Sequence, residues 1–549
     1  MADKTDIIII GGGLAGLVAA HEAVGRGRSV RLIDQEGPQS LGGQAFWSLG
    51  GLFMIDTPEQ RRMGIRDSLE LATSDWLGSA QFDRPEDENP RRVAMAYLEY
   101  AAGRMREDLA AIGMRWFPVV GWAERGGGMA HGHGNSVPRF HITWGAGEGI
   151  VAPYARFAHD HAAAGRLIFC HRHKVTGLVQ TDGRATGVTG DILADDTAVR
   201  GASTNREVLG QFEYEADSIV ITTGGIGGDH DQVRRQWPTE RLGPAPKRMV
   251  AGVPDYVDGQ LAQVAKSAGA GAINEDRMWH YTEGLSNWDP IWPNHGIRVL
   301  PGPSSMWFDA LGDRMEAPFL PGFDSLATLK RILSTGHDHS WFVLTQKIIE
   351  KEFALSGSEQ NPDFVSGKML EVLKERTFSK GATRAVEAFK QHGEDFVVAD
   401  ELETLIAGMN AITPDAPLDP AKIRAQIMAR DLQMDNAFTK DSQVSFIHTA
   451  RNYRGDRLVR TAKPHRILDP AKGPLIAVRL NILTRKSLGG LHTDLQSRVL
   501  RPDGTVFEGL FAAGEVSGFG GGGYHGYNAL EGTFLGGCIF SGKAAGQNA

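Results

Sequence analysis

Residues 7–10 are four consecutive isoleucines, and Gly11, Gly13 and Gly16 follow at once in G-x-G-x-x-G spacing. A short, wholly apolar β-branched run reads as a strand buried inside a parallel sheet. Residues 14–26 then read as a helix with Leu17, Val18 and Val24 mainly on one face, and residues 30–33 as a second strand ending at Asp34. Each glycine has a task in such a β-α-β unit. Gly11 makes the tight turn, Gly13 lets backbone approach a pyrophosphate, and Gly16 lets helix pack on strand. The anion sits at the helix N-terminus, where free N–H groups and the dipole favour it. Asp34 follows at about the ~20-residue spacing expected of the acid that holds ribose hydroxyls. Strand, glycines, helix, strand and acid in one register predict a dinucleotide site.

No second unit of this kind is expected. The glycines at 145, 147 and 149 and the run 520–523 lack a preceding apolar strand, which argues against a built-in nicotinamide domain. At 549 residues the chain is long enough for two to four structural units. Two cysteines, Cys170 and Cys538, exclude a disulfide framework and a cysteine-ligated iron–sulfur cluster. A net charge of -8 offers no basic face for nucleic acid. No signal segment and no apolar run of membrane-spanning length are read, so a cytoplasmic setting without a membrane span is expected. The expected partners are a small-molecule substrate and an electron acceptor, both left open, as is the oligomeric state.

Beyond the acid, the segment from Leu41 to Gly51 (LGGQAFWSLGG) resembles the second FAD motif of the fumarate reductase and succinate dehydrogenase flavoprotein superfamily. The resemblance implies FAD. Gln44 falls where members with covalent FAD carry histidine, which implies non-covalent attachment here. Further family-like segments are Thr223-Gly224-Gly225 after an apolar strand, Asp258-Gly259 before a helix at 260–268, Gly514-Glu515, and the stretch from His525 to Gly536 (HGYNALEGTFLG). Asp258 reads equally as a helix N-cap. The cofactor residues so implied are Gly11, Gly13, Leu14, Ala15, Gly16, Asp34, Gln35, Gly42, Gly43, Gln44, Ser48, Gly50, Gly51, Val175, Thr223, Gly224, Gly225, Asp258, Gly514, Glu515, Ala529, Leu530, Phe534 and Leu535. The expected fold is α/β: a discontinuous Rossmann-like FAD-binding domain, residues 1–273 and 441–549, with an inserted α+β capping domain at 274–440. Helices are expected at 381–392, 400–411 and 420–434, and a strand re-entering the FAD domain at 473–478.

The departures from the superfamily concern the substrate. Ala529 stands where fumarate reductases place an arginine that clamps a carboxylate, and Arg485, Lys486 and Ser487 stand where they place a histidine. The segment from Leu488 to Asp494 (LGGLHTD) resembles a turn of 3-ketosteroid dehydrogenases, although Asn528 falls on that branch's tyrosine. The reading is an FAD-dependent dehydrogenase acting on a carbon–carbon bond next to a carbonyl, on a 3-ketosteroid-like or other partly apolar substrate. Tyr527, Tyr524, Arg485 and His337 are the candidates for carbonyl polarisation or proton transfer. No metal is expected, because His337-Asp338-His339 supplies no third ligand of known geometry. A flavin oxidase of an amine or amino acid, and a non-catalytic FAD-containing scaffold or sensor, are the rival readings.

Overall fold

A computed structural model describes residues 4–128, 131–132, 134–378 and 381–549. The four isoleucines lie in the strand Thr5–Ile10, each at 4% exposure or less. A strand apolar on both faces is stable only where both faces are covered, as inside a parallel sheet. It pairs in parallel with Val30–Asp34 on one side and with the second half of Val208–Ile221 on the other. Leu167–His171 and Val506–Ala512 extend the parallel array at its two ends. The spatial order is Arg498–Leu500, Val506–Ala512, Val208–Ile221, Thr5–Ile10, Val30–Asp34, Leu167–His171. The hairpin His173–Thr181 and Arg184–Leu193 joins it through the first half of Val208–Ile221. Its two-residue turn is Asp182-Gly183, both with positive φ, as a primed hairpin turn requires.

Close packing explains why glycine stands at Gly16. A Cβ there would lie 2.1 Å from the carbonyl oxygen of Gly11 and 2.7 Å from the Thr222 hydroxyl. The helix Leu14–Gly25 also packs against the last helix, Thr533–Asn548. There Cβ atoms on Gly542 and Gly546 would meet the carbonyl oxygens of Ala15 and Ala19 at 2.6 and 2.3 Å. The two ends of the chain therefore build one layer.

A second sheet has the order Met306–Asp309, His339–Thr345, Leu475–Ser487, Met278–Ser286, Gly296–Leu300, Ala354–Leu355, with Phe396–Ala399 and Val250–Ala251 also paired to Leu475–Ser487. The helices Arg384–His392, Leu402–Ile412 and Pro420–Met434 occur close to the stretches expected. Phe389, Leu405, Ile406 and Ile427 from these helices share a core with Phe342, Ile476 and Val478. One expectation is corrected. The segment 473–478 does not re-enter the first sheet, because Leu475–Ser487 is the central strand of the second, antiparallel to Met278–Ser286, His339–Thr345 and Phe396–Ala399. Its first ten residues are all buried. A fully apolar run has the same pattern in a parallel core and in an antiparallel strand covered on both faces, so pattern alone could not assign it.

Candidate active site

A cleft of about 1750 Å³, its open mouth included, runs between the two sheets. Its walls come from strands of both sheets, Ile10 and Ile33 from the first and Tyr281, Arg298 and Leu483 from the second. Two helix N-termini open onto it. Gly13, Leu14 and Ala15 belong to the first helix, Gly532, Phe534 and Leu535 to the last, and all six line the cleft. Neither helix has a side chain capping its N-terminus. Their first N–H groups are thus left for an anion or a carbonyl oxygen.

Asp34 marks one end. Its carboxylate accepts from the N–H of Gly12 at 2.7 Å and of Glu36 at 2.8 Å. Burial pushes its pKa up to about 6 in spite of these two N–H groups. Thr223, which also lines the cleft, has a buried hydroxyl with no hydrogen-bond partner. Gln44, Lys486 and Glu515 form a polar group in the wall. Gln44 Nε2 donates to Glu515 Oε2 at 3.0 Å, Lys486 Nζ donates to Gln44 Oε1 at 3.1 Å, and the Ser487 N–H donates to Glu515 Oε1 at 2.9 Å. Burial lowers the Lys486 pKa, partly offset by Glu515.

Twenty of the sequence-derived residues line this cleft: Gly11, Gly13, Leu14, Ala15, Asp34, Gln35, Gly43, Gln44, Ser48, Gly50, Gly51, Val175, Thr223, Gly224, Asp258, Arg485, Gly514, Glu515, Phe534 and Leu535. Asp258 also accepts from the Gln260 N–H at 3.0 Å, one residue ahead of Gly259, the N-cap of that helix. Arg485 donates from its guanidinium to the Gly252 carbonyl, and its N–H donates to His280 Nδ1.

Eight do not line it. Gly16, Gly42 and Gly225 act one layer back, where a Cβ would strike Gly11, Val151 or the Glu515 carboxylate. Ala529 and Leu530 are buried in the core of the first sheet. Tyr524 is corrected as a catalytic candidate: it is fully buried, and its hydroxyl donates 2.6 Å to the Thr533 carbonyl, pinning the last helix. Tyr527 is likewise outside the cleft, its ring covered by Arg241 and Arg277 at 3.8 and 4.0 Å. His337 lies in the turn before His339–Thr345, its ring 5.8 Å from that of His339, away from the cleft wall.

A second polar group in the cleft is built from residues that sequence reasoning passed over. Tyr281, Arg298 and Glu531 all line the cleft and are at least nine-tenths buried. The Tyr281 hydroxyl donates 2.7 Å to Glu531 Oε1. Arg298 Nη1 donates 3.0 Å to the same oxygen, and Nη2 donates 3.0 Å to Glu124 Oε2. The Arg298 guanidinium also lies 3.7 Å over the Tyr281 ring. Burial raises the pKa of Tyr281 well above its usual value, and Glu531 adds to this against the opposing pull of Arg298. Burial works against the Arg298 charge, but Glu531, Tyr281, Glu283 and Glu124 more than offset it. One signal was available: an arginine inside the apolar strand Gly296–Leu300, and a glutamate beside Gly532, are charges that burial permits only when paired.

Comparison with known proteins bears on this geometry. The FAD binding domain family matches residues 6–535. The chain belongs to that family. It is 57% identical over 535 residues to a KsdD-like steroid dehydrogenase of Mycolicibacterium smegmatis, covering 97% of this chain and 96% of the relative. It is 55% identical to a KsdD-like steroid dehydrogenase of Mycobacterium tuberculosis over 544 residues, 99% of this chain and 95% of the relative. The solved structure of 3-ketosteroid Δ1-dehydrogenase from Sterolibacterium denitrificans, in complex with 1,4-androstadiene-3,17-dione, shares the fold with a TM-score of 0.68 at 16% identity, over 99% of each chain. The protein is an FAD-dependent dehydrogenase. The cleft fits that cofactor on its own terms, with two uncapped helix N-termini, a buried carboxylate at the end of the second strand and an unpartnered threonine hydroxyl.

Proposed function

We propose that the protein dehydrogenates a 3-ketosteroid at a carbon–carbon bond next to the ketone, with Tyr281 as the proton-transferring group and FAD held non-covalently along the first sheet beneath the second. The reading rests on one observation: a tyrosine in the cleft, hydrogen-bonded to a carboxylate and overlaid by a guanidinium. The names of the relatives and of the solved structure support the substrate class.

FAD, when bound, supplies the acceptor for the hydride that leaves the β-carbon. Tyr281 cannot act as a base while it holds its own proton. Glu531 is placed to receive that proton over 2.7 Å. Arg298 then faces the phenolate so formed, and its fixed charge opposes the cost of forming an anion in a buried site. The phenolate oxygen takes the acidified α-proton of the substrate. Arg485 stands in the same cleft as a donor to the ketone oxygen. Asp34, Gln35, Gly43 and Thr223 hold the cofactor, and Gln44 stands beside it without a bond. The second sheet and its helices form the cap, and the two free cysteines suit a reducing cytoplasm.

The test is anaerobic mixing of the FAD-loaded enzyme with a 3-ketosteroid. Bleaching of the flavin absorbance, followed by reoxidation with a dye and not with oxygen, is expected. Rapid peroxide formation would indicate an oxidase, and a bound steroid that never bleaches the flavin would sink the enzymatic reading. Acid precipitation is expected to leave all FAD in the supernatant.

A further inference from the structure

Residues 524–528 lie outside the active-site cleft, yet they meet a dense group of unsatisfied polar atoms. At its centre is Arg241, in the short helix Thr239–Leu242, stacked 3.8 Å from the Tyr527 ring. Arg277 covers the same ring at 4.0 Å and Arg84 at 5.6 Å. Two of these three cations are neutralised. Arg84 forks onto Asp276 at 2.7 and 2.6 Å, and Arg277 forks onto Asp87 at 2.6 and 2.8 Å.

Arg241 is different. Among the described residues it pairs with no carboxylate, and its Nε and Nη2 are buried without a hydrogen-bond partner. Burial works against its charge, with Tyr527 and Asp83 only partly offsetting this. A guanidinium cannot shed its proton to relieve the cost. The Nε–Nη2 pair is the edge that meets two oxygens of one anion side by side.

The surroundings point the same way. Arg277 Nε, Ser79 Oγ and Asn528 Oδ1 are also buried and unpartnered, although Asn528 Nδ2 reaches the Ser79 carbonyl at 2.7 Å. Arg277, Ser79 and Asn528 are more than nine-tenths buried, and Arg241 is partly buried. Donors outnumber acceptors in this group, so the missing partner is rich in acceptors. Arg277 immediately precedes the strand that carries Tyr281, so the group adjoins the active site while lying outside its cleft.

We propose that Arg241, with Arg277 across the Tyr527 ring, forms a second binding site, for an oxyanion of the carboxylate or phosphate type. The anion is either free or carried on the distal end of a larger molecule. The FAD-loaded enzyme is titrated calorimetrically with inorganic phosphate at ionic strength fixed by sodium chloride. A saturable signal is expected, weakened at least tenfold in Arg241→Met with FAD content and melting temperature retained. Arg241→Lys keeps a cation against Tyr527 but lacks the forked edge, and provides the same reading, a weakened signal, if the methionine variant does not fold. A 3-oxo-steroid carboxylate and its methyl ester separate the two sources. A KM that rises in the variants for the acid and not for the ester places the anion on the substrate, and an effect on phosphate alone makes it a free ion. Equal phosphate and carboxylate affinities in wild type and variants, or no saturable binding of either anion by wild type, overturns the proposal. Failure of the steroid reading itself would show separately, as absence of turnover of the neutral ester with phosphate binding intact.

Discussion

Tyr281 holds its proton in the resting protein, since burial and the Glu531 carboxylate both favour the neutral phenol. Removal of its hydroxyl in Tyr281→Phe takes away only the proton-transferring group. The rate of flavin reduction by a 3-ketosteroid, followed by rapid mixing, is expected to fall by about 10²–10⁴, while FAD content stays at wild-type level. Arg298 is a matter of stability as well as chemistry. Arg298→Met would leave Glu531 and Glu124 facing each other in a dry site. A loss of about 3–5 kcal/mol in unfolding free energy is expected from urea titration, the cost of breaking a buried pair from one side. The two misplaced charges were legible at the level of single residues, but their pairing was not. Tyr281 and Glu531 are 250 positions apart in sequence, and Arg298 and Glu531 are 233 apart. Tyr524 and Tyr527 drew attention because they sit in a recognisable motif. In the structure neither lines the cleft, one pinning a helix and the other between arginines.

At the scale of the element, the strand–turn–helix of residues 5–34 formed as its residues dictate. The information there is local: four isoleucines, glycines where a Cβ would collide, and an acid at the end of the next strand. Asp34 gives this element a pH dependence. Its folded pKa of about 6 lies above the ordinary carboxylate value of 3.8. The folded apoprotein therefore binds this proton more tightly than the unfolded chain. Its contribution is favourable below about pH 4 and is lost as pH rises through 6. In the proposed cofactor mode ribose hydroxyls donate to the carboxylate, so bound FAD would favour the charged form. FAD affinity, read by quenching of flavin fluorescence, is expected to weaken as pH falls from 7.5 to 5. The slope should vanish in Asp34→Asn. A pH-independent affinity in wild type would remove Asp34 from the cofactor site.

At the scale of the whole molecule, the first sheet was legible and the second was not. Four of the first sheet's parallel strands sit next to strands whose apolar runs announce themselves. The first sheet also joins distant strands, such as Ile10 with Ile221, but glycine turns mark its strand ends, whereas the pairs of the second, such as Trp279 with Lys486, carry no such mark. Its core is as dry as the first. Phe342 is fully buried between Trp307 and Phe353. Phe342→Ala is expected to cost about 3–5 kcal/mol, measured by denaturant unfolding, and to expose this sheet to proteolysis before the FAD-binding one.

The strand Leu475–Ser487 has a consequence for motion. It is the spine of the second sheet, and its last three residues reach the cleft wall: Arg485 and Lys486 line the cleft, and the Ser487 N–H is fastened to Glu515. A continuous hydrogen-bonded strand transmits a tilt along its length as a lever does. Any swing of the second sheet away from the first drags two cations out of the cleft in the same stroke. Admission of solvent and the loss of positive potential around the flavin are thereby geared together.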